Sequence, residues 1–455
     1  MTTPPGSGPS PSHGSWLRDT LLRRLLANAS KLLGGKALNA VFGLGALAVA
    51  ARGLGVEQFG VLVLIHTFTQ AVGEIAKFQS WQAVLRYGTP ALREERRGDF
   101  QRLLRFTVLL DGISAVLGMA LAVAVAGLAG PAFGWPAETV PAAMLYVTSC
   151  LFMVTATPTG VLRLVDRFDL LAWQSTVGAA VRCLAGALVW AAGGGLGAFL
   201  VAWYLATAAA GIFLIAAGWR ELSRGGLLAG WRWRGGGLTA GFPGIWGFVW
   251  TTNLNTTLEL AFTHMGTLAA GAFLGTREAA LFRIARQFAD ALAKPAKLLV
   301  PAIYPELARL YAAGDVASIR RLMQRSALLA GLVATAMMAA VWLLGEWVLR
   351  VIVGAEFVAA FPVMLWLVAG AVVGIWAFPL EPLLISTGHA GAALRVRLWS
   401  TALYVPLLLL LLDTAGLIGA GWAALAASLF IFVALLLPVI RWFDRSGGPP
   451  GQPRS

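Results

Sequence analysis

Five ionisable residues, Arg283, Arg286, Asp290, Lys294 and Lys297, interrupt a segment otherwise as apolar as a membrane span. On a helix turning about 100° per residue they fall within a sector of roughly 80° and climb about 21 Å along one face. A charge at the centre of a bilayer costs at least ~2.5–3.5 kcal/mol, so this face must look into a bundle interior or a water-filled cavity. With four cations against one anion, the expected occupant of that cavity is an anion.

The rest of the chain is equally membrane-like. Of 455 residues, 58% are hydrophobic and 12% charged, and the mean hydropathy is +0.75, more apolar character than one soluble core can hide. Apolar stretches of about 20 residues fall near 33–52, 58–80, 106–130, 139–161, 171–192, 196–218, 243–272, 279–304, 326–350, 359–385, 393–413 and 416–440. They predict an all-α polytopic membrane protein of about twelve transmembrane helices. Lys and Arg in the alternate connections divide 25 to 3, the minority being Arg52, Arg277 and Arg350. That asymmetry places both termini on the cytoplasmic side. The net charge of +14 is therefore a topology signal, and no nucleic-acid partner is expected. Cys150 and Cys183 both lie in apolar spans and indicate neither a disulfide framework nor a metal site.

The sequence repeats once. GLGVEQFG from Gly53 parallels FLGTREAALF from Phe273, YGTPALREERRGDFQRLLR from Tyr87 parallels YPELARLYAAGDVASIRRL from Tyr304, and TPTGVLRLVDRFD from Thr157 parallels FPLEPLLISTGHA from Phe378. Offsets of roughly 215–222 residues put each pair at equivalent places in the spans and predict two pseudo-symmetric six-helix lobes around a central cavity. The expected organisation is a disordered cytoplasmic tail over 1–24, an N-lobe over 25–219, a linker over 220–241, a C-lobe over 242–443 and a second tail over 444–455. WRWRGGG from Trp231 reads as an interfacial anchor or as a plain basic linker.

An offset of 220 lays Val63, His66, Gln70, Glu74 and Lys77 on Arg283, Arg286, Asp290, Lys294 and Lys297. The first lobe thus carries a diluted, mixed-charge version of the stripe. Lys36, Asn39, Asp111, Arg182, Glu259 with the Thr251 to Thr257 polar run, and Glu381 are further intramembrane candidates. Each has a structural reading beside the functional one. Arg283 and Lys297 can snorkel to opposite interfaces, Arg286, Asp290 and Lys294 can form a neutralised triad, and Asp111 and Arg182 can be interhelical partners. His66 and His264 read as packed or hydrogen-bonded rather than proton-transferring.

The run LLANASKLLGGKALNAVFGLGALAVAARGLGVEQFGVLVL from Leu25, the G-x-x-x-F-G turn at Gly55 to Gly60, the Tyr304–Pro305 turn and the duplicated lobes carry a family resemblance. From about residue 25 to 440 the chain resembles the polysaccharide-transport branch of the multidrug/oligosaccharidyl-lipid/polysaccharide flippase superfamily, which includes O-antigen and exopolysaccharide-repeat flippases. The resemblance implies two six-helix bundles forming a V-shaped, alternately open cavity in the inner membrane. It also implies a polyprenyl-pyrophosphate-linked oligosaccharide as substrate, moved from the cytoplasmic to the periplasmic leaflet for surface polysaccharide assembly. On that reading Arg286 and Lys294, helped by Arg283 and Lys297, bind the pyrophosphate, and Lys36 and Lys77 contribute from the N-lobe. Asp290, Glu259 and Glu74 are then the candidates for ion coupling. With no nucleotide-binding motif, a proton or sodium gradient or the membrane potential is the expected energy source, and no cofactor is expected. Membrane lipid and other polysaccharide assembly proteins are the remaining expected partners. A cation-coupled drug exporter of the same superfamily and a membrane-embedded polymerase or ligase of lipid-linked glycans remain as alternatives.

Overall fold

A computed structural model describes the backbone of residues 20–231 and 237–446; within these, the side chains of 20–37, 254–262, 295–302 and of Pro305, Ala390, Arg445 and Ser446 lie outside the described set. The expected tails, most of WRWRGGG, and the side chains of Lys36, Glu259 and Lys297 therefore fall partly or wholly outside the described residues.

All regular structure among the described residues is helical. Helix α1 (Thr20–Ala76) runs for 57 residues and breaks at Gly55, whose φ of 70° and ψ of 176° suit only glycine. A straight helix of that length would extend about 85 Å, so the break converts it into two membrane passes. After Lys77, Phe78 and Gln79 the second pass continues as α2 (Ser80–Arg93). There follow α3 (Arg97–Ala129), then a broken span made of α4 (Val140–Val147), a 3-10 turn (Thr148–Met153) and α5 (Ala156–Leu164), then α6 (Phe168–Ala191) and α7 (Leu196–Arg224). Because α7 stays helical to Arg224, the connection expected over 220–241 begins as helix.

The second lobe repeats this order. It holds α8 (Ile245–Leu274), α9 (Thr276–Ala312), α10 (Val316–Ile352), a broken span of α11 (Phe361–Ala377) and α12 (Leu380–Ser386), and α13 (Ala390–Ser446), which breaks at Gly416 into two passes. Seven stretches are long and apolar enough to cross a membrane among the described residues, and two of them, Leu38–Arg93 and Gly391–Asp444, contain these double passes. Helices α6, α8 and α9, which carry Arg182, Asn253 and the charged stripe to membrane depth, complete twelve crossings.

The backbone records the duplication more sharply than the side chains do. Positive φ occurs at Gly55 and Gly275, Glu95 and Gly314, Gly134 and Gly354, Asp166 and Gly388, and Gly193 and Gly416. These pairs, one for each turn between consecutive spans of a lobe, stand about 220 residues apart, as a tandem repeat of one supersecondary unit requires.

The lobes meet through α1, which packs on α6 and α7 in its own lobe and on α8 and α9 across the interface. At the arginine-poor end their contact is reciprocal. Arg52 donates from Nε to the Ile352 carbonyl at 3.0 Å and from Nη2 to the Val351 carbonyl, satisfying the last carbonyls of α10. Glu356 accepts from the Val56 N–H at 3.2 Å, capping the second pass of α1. Each lobe thus supplies the charge that the other lobe's helix dipole favours. Arg277 and Glu57 pair at 3.2 Å, and the Phe59 and Phe357 rings meet edge to face at 5.6 Å. Gly60 faces the Thr276 backbone so closely that a Cβ would overlap its carbonyl oxygen. The two glycines of the G-x-x-x-F-G turn therefore have separate reasons, conformation at Gly55 and clearance at Gly60. At the arginine-rich end the connection and the first turns of α8 lie on α2 and α3, with Tyr87 donating to the Pro243 carbonyl at 3.2 Å and Phe106 against Trp246 at 5.1 Å.

Candidate functional site

A cavity of about 410 Å³ opens between the lobes on the arginine-rich side of this closure. Its walls come from both passes of α1, from α6 and α7, from the 3-10 turn of the fourth span, and from Arg283, Gln287 and Lys294 of α9. Counted from the breaks at Gly55 and Gly275, these side chains lie about 12–33 Å along their helices, from mid-membrane toward the arginine-rich end. Small residues shape the walls: Gly43 faces open space, whereas Gly73 packs on Met153 and Gly178 on Ala210.

At the inner end stands a cluster that sequence spacing did not connect. The Arg182 guanidinium lies 4.9 Å from the centre of the Trp203 ring, and its Nη1 is 3.3 Å from His66 Nε2. His66 Nδ1 is 2.8 Å from the Tyr146 hydroxyl. With the arginine donating to Nε2, the imidazole acts as the neutral Nδ1–H tautomer and orients the guanidinium. His66 is thus packed and hydrogen-bonded, as expected, but it also lines the cavity. Arg182 forms no ion pair among the described residues, and its Nε and the indole N–H of Trp203 are buried donors without a hydrogen-bond partner. Unpaired buried donors are costly and point to an acceptor that arrives with a ligand. Arg283 faces this cluster from the other lobe, and the charges acting on it are those of Asp290, Arg182 and Arg286.

Farther along, Lys77 sits where α1 gives way to α2, and Lys294 reaches in from α9. Asp111 fixes this level. Its carboxylate accepts from the Ser80 hydroxyl at 2.6 Å and from the Thr157 N–H at 2.7 Å, tying together the first turns of α2 and α5. Asp111 is therefore an interhelical partner, though of two helix starts and not of Arg182, and with Glu74 it supplies the negative charge felt by Lys77. Glu74 Oε2 lies 2.7 Å from His264 Nε2, a bond that spans the lobes from α1 to α8.

The α9 stripe divides. Arg283 and Lys294 line the cavity, whereas Arg286 pairs with Asp290 one turn on at 3.2 Å and neither lines it. The physical reason is rotational: Arg283, Gln287 and Lys294 centre on a direction about 80° from Arg286 at 100° per residue. Arg286, expected as a phosphate ligand, thus stands in an ion pair beside the cavity lining. Lys77 and Glu74 line the cavity. Glu381 makes a long, exposed contact with Arg397 at 3.8 Å on the arginine-rich side. Sequence reading missed Trp203, Tyr146, Gln174, Ser175 and Gln287. For Arg182 a signal existed, since its own helix holds small residues instead of an acid one turn away, at Gly178 and Ala179.

Among the described residues the charged lining thus consists of Lys77, Arg182, Arg283 and Lys294 against Glu74, which His264 already engages, with His66 beside them. Asn39, Gln70, Gln174 and Ser175 add neutral donors and acceptors beside them. Such a cavity can hold a concentrated anion at one level and uncharged hydroxyl groups at another.

Comparison with known proteins agrees with this architecture. A family profile described as "Polysaccharide biosynthesis protein" matches residues 49–362. "Inner membrane protein YghQ" of Escherichia coli (strain K12) is 31% identical over 348 residues, which are 76% of this chain and 97% of that protein. Among solved structures, an inward-facing multidrug resistance MATE family transporter of the MOP superfamily has a TM-score of 0.69 at 14% identity, covering 93% of this chain and 100% of its own. Lipid II flippase MurJ in an inward closed conformation has 0.68 at 11% identity, with 91% and 89% covered. An outward-facing MATE family transporter has 0.60 at 14% identity, with 96% and 100% covered. The structural likeness establishes the two-lobed fold.

Proposed function

The chain belongs to the polysaccharide biosynthesis protein family as a multi-pass inner-membrane protein with a MOP-superfamily transporter fold, and from that premise we propose that it is a non-enzymatic flippase. Its cargo is a polyprenyl-pyrophosphate-linked oligosaccharide, carried from the cytoplasmic to the periplasmic leaflet by alternating access for surface polysaccharide assembly. Both termini then lie in the cytoplasm, as the 25 to 3 split of basic residues requires.

The observation that supports this reading is the charge of the cavity among its described residues: four cations from both lobes, and one carboxylate already bonded to a histidine. A pyrophosphate is a compact polyanion. Arg182 and Arg283 offer forked donors at the inner end, and Lys77 and Lys294 offer point charges along the approach. Arg182 takes the part that the stripe alone assigned to Arg286. The amides and hydroxyls of Asn39, Gln70, Gln174 and Ser175 suit sugar hydroxyls, while the polyprenyl tail stays in lipid. An organic cation would meet repulsion from Lys77, Arg182, Arg283 and Lys294, which disfavours a drug exporter.

Coupling to a proton or sodium gradient or to the membrane potential belongs to the same proposal. Asp290 is held by Arg286, so Glu74 is the better placed acid: a proton exchanged at Glu74–His264 changes a contact between the lobes. The test is transport into proteoliposomes of a fluorescent polyprenyl-pyrophosphate oligosaccharide, read by a quencher confined to one leaflet. The Arg182→Gln/Arg283→Gln protein should insert and lose translocation; translocation at the wild-type rate in that variant would remove the assignment.

A further inference from the structure

A second groove, of about 430 Å³, lies on the outer side of α10 near the arginine-rich end, lined by Ser318, Arg321, Leu322, Arg325, Ser326 and Leu329. The spacing of these residues puts them on one helix face, with both arginines above and Leu329 below, over about 16 Å of axis. Helix α10 is the least covered of the apolar spans, with 11% of its most hydrophobic window buried, so its outer face meets lipid. The polar head of the groove falls at interfacial depth and its leucine foot at acyl-chain depth.

Most basic residues at this end are occupied. Arg96, Arg102, Arg167, Arg309 and Arg397 pair with carboxylates, and Arg320 lies over the Phe443 ring. Arg321 and Arg325 form no ion pair among the described residues. Arg321 is braced by a 3.0 Å bond from Nη2 to the Ser318 hydroxyl, which aims the guanidinium along the groove. The acid before the helix, Asp315, is engaged as its cap, accepting from the Ser318 N–H at 2.9 Å. A braced arginine, a second one a turn away, a hydroxyl pair and an apolar foot match a phosphodiester headgroup with its acyl chains.

We propose that this α10 groove is a binding site for an anionic phospholipid of the arginine-rich leaflet, separate from the transport cavity and independent of the transport reading. Its phosphate is held between Arg321 and Arg325, and an acyl chain lies along Leu322 and Leu329. The site would make the C-lobe sensitive to the anionic lipid content of the membrane.

The experiment uses the full chain in nanodiscs of phosphatidylcholine with one quarter phosphatidylglycerol, followed by native mass spectrometry of the lipids that survive release. Wild type should retain phosphatidylglycerol several-fold above its bulk ratio. Arg321→Gln/Arg325→Gln should fall to the bulk ratio, and Arg321→Lys/Arg325→Lys, which keeps charge without the fork, should retain an intermediate excess. The lysine variant also guards against misfolding as the cause of a loss. No excess in wild type, or an undiminished excess in the glutamine variant, would overturn the proposal. So would a polyprenyl pyrophosphate that displaces phosphatidylglycerol at equimolar amounts and itself depends on the two arginines, because the groove would then belong to the carrier lipid.

Discussion

The second pass of α1 and the helix α9 hold equivalent places 220 residues apart, yet they turn different faces to the cavity. On α1 the lining residues include His66, Gln70, Glu74 and Lys77, whereas on α9 they are Arg283, Gln287 and Lys294. The equivalents of His66 and Gln70 are Arg286 and Asp290, which bond to each other outside the lining, and the equivalent of Arg283 is Val63, buried in the core. Duplication has preserved the backbone and not the view from it. Among the described residues the lining comes mostly from the N-lobe, and α9 approaches it from across the interface, rotated by about 60° relative to α1. Pseudo-symmetry therefore predicts where helices run but not which side chains share a site.

Neutralising single arginines is the strongest way to break this comparison. Charge-assisted hydrogen bonds to a buried anion are worth about 1.5–3 kcal/mol each, so Arg182→Gln and Arg283→Gln should each lower substrate affinity about tenfold or more. Arg286→Gln should change it by less than about threefold, because an exposed i,i+4 pair contributes about 0.3–0.5 kcal/mol. Binding of a labelled polyprenyl-pyrophosphate oligosaccharide in detergent measures all three. If Arg286→Gln proved the most damaging and Arg182→Gln neutral, the symmetric register would describe the site after all.

Much of the architecture was legible because hydropathy and turn glycines act locally. The break between the two passes of α13, near 413–416, is marked in the sequence by Gly416, and the helix pair around 274–276 by Gly275. The charged stripe was legible as an interior face for the same reason. Its division was not, since which 80° of α9 meets the cavity depends on where α6 and α7 stand. Arg182 was visible as an intramembrane charge, but the ring of Trp203 and the imidazole of His66 come to it from two other helices, α7 and α1. The reciprocal caps at the arginine-poor end are of the same kind: Arg52 and Glu356 are 304 positions apart in the chain. Nothing in their local sequence pairs them.

A second comparison sets Gly60 against Ala280, its equivalent in the other lobe. Ala280 is fully buried, so the C-lobe tolerates at this register the methyl that Gly60 cannot accept beside the Thr276 carbonyl. Gly60→Ala should force the arginine-poor closure apart at a cost of about 1–3 kcal/mol, the usual range for overpacking. In a Cys150→Ser/Cys183→Ser background, Gln58→Cys should react faster with a membrane-impermeant maleimide when Gly60→Ala is present. Ala280→Gly should leave that rate unchanged while lowering the melting temperature slightly. Equal rates in all three proteins would mean that clearance at Gly60 does not set the closure.

The reciprocal caps predict a smaller effect of the same sign. Arg52→Ala frees the last carbonyls of α10, and Glu356→Gln removes the charge at the start of the second α1 pass. Charges at helix termini contribute about 0.3–1 kcal/mol each, so either change should raise Gln58→Cys labelling about two- to fivefold. Because each lobe caps the other at one interface, the double variant should show coupling beyond the product of the single effects. Strict multiplicativity would mean that the two caps open independently and that closure there is not one cooperative contact.

The smallest effect concerns the turns of the arginine-rich end. Glu95 and Asp166 adopt positive φ, at 54° and 56°, where the equivalent turns of the C-lobe use Gly314 and Gly388. A side chain in the left-handed region costs roughly 1–2 kcal/mol, somewhat less for aspartate, whose short polar chain can bond locally. Glycine relieves that cost but gives the unfolded chain more freedom, so Asp166→Gly should stabilise by no more than about 0.5 kcal/mol. Gly388→Ala imposes the strain without compensation and should destabilise by about 1 kcal/mol or more. Thermal unfolding in one detergent decides between two accounts of the duplication. A rise for Asp166→Gly with a fall for Gly388→Ala means that both lobes still use one turn geometry and the N-lobe bears strain there. A fall for both means that the Asp166 side chain has become part of its turn, and that the lobes have diverged in their connections as well as in their cavity faces.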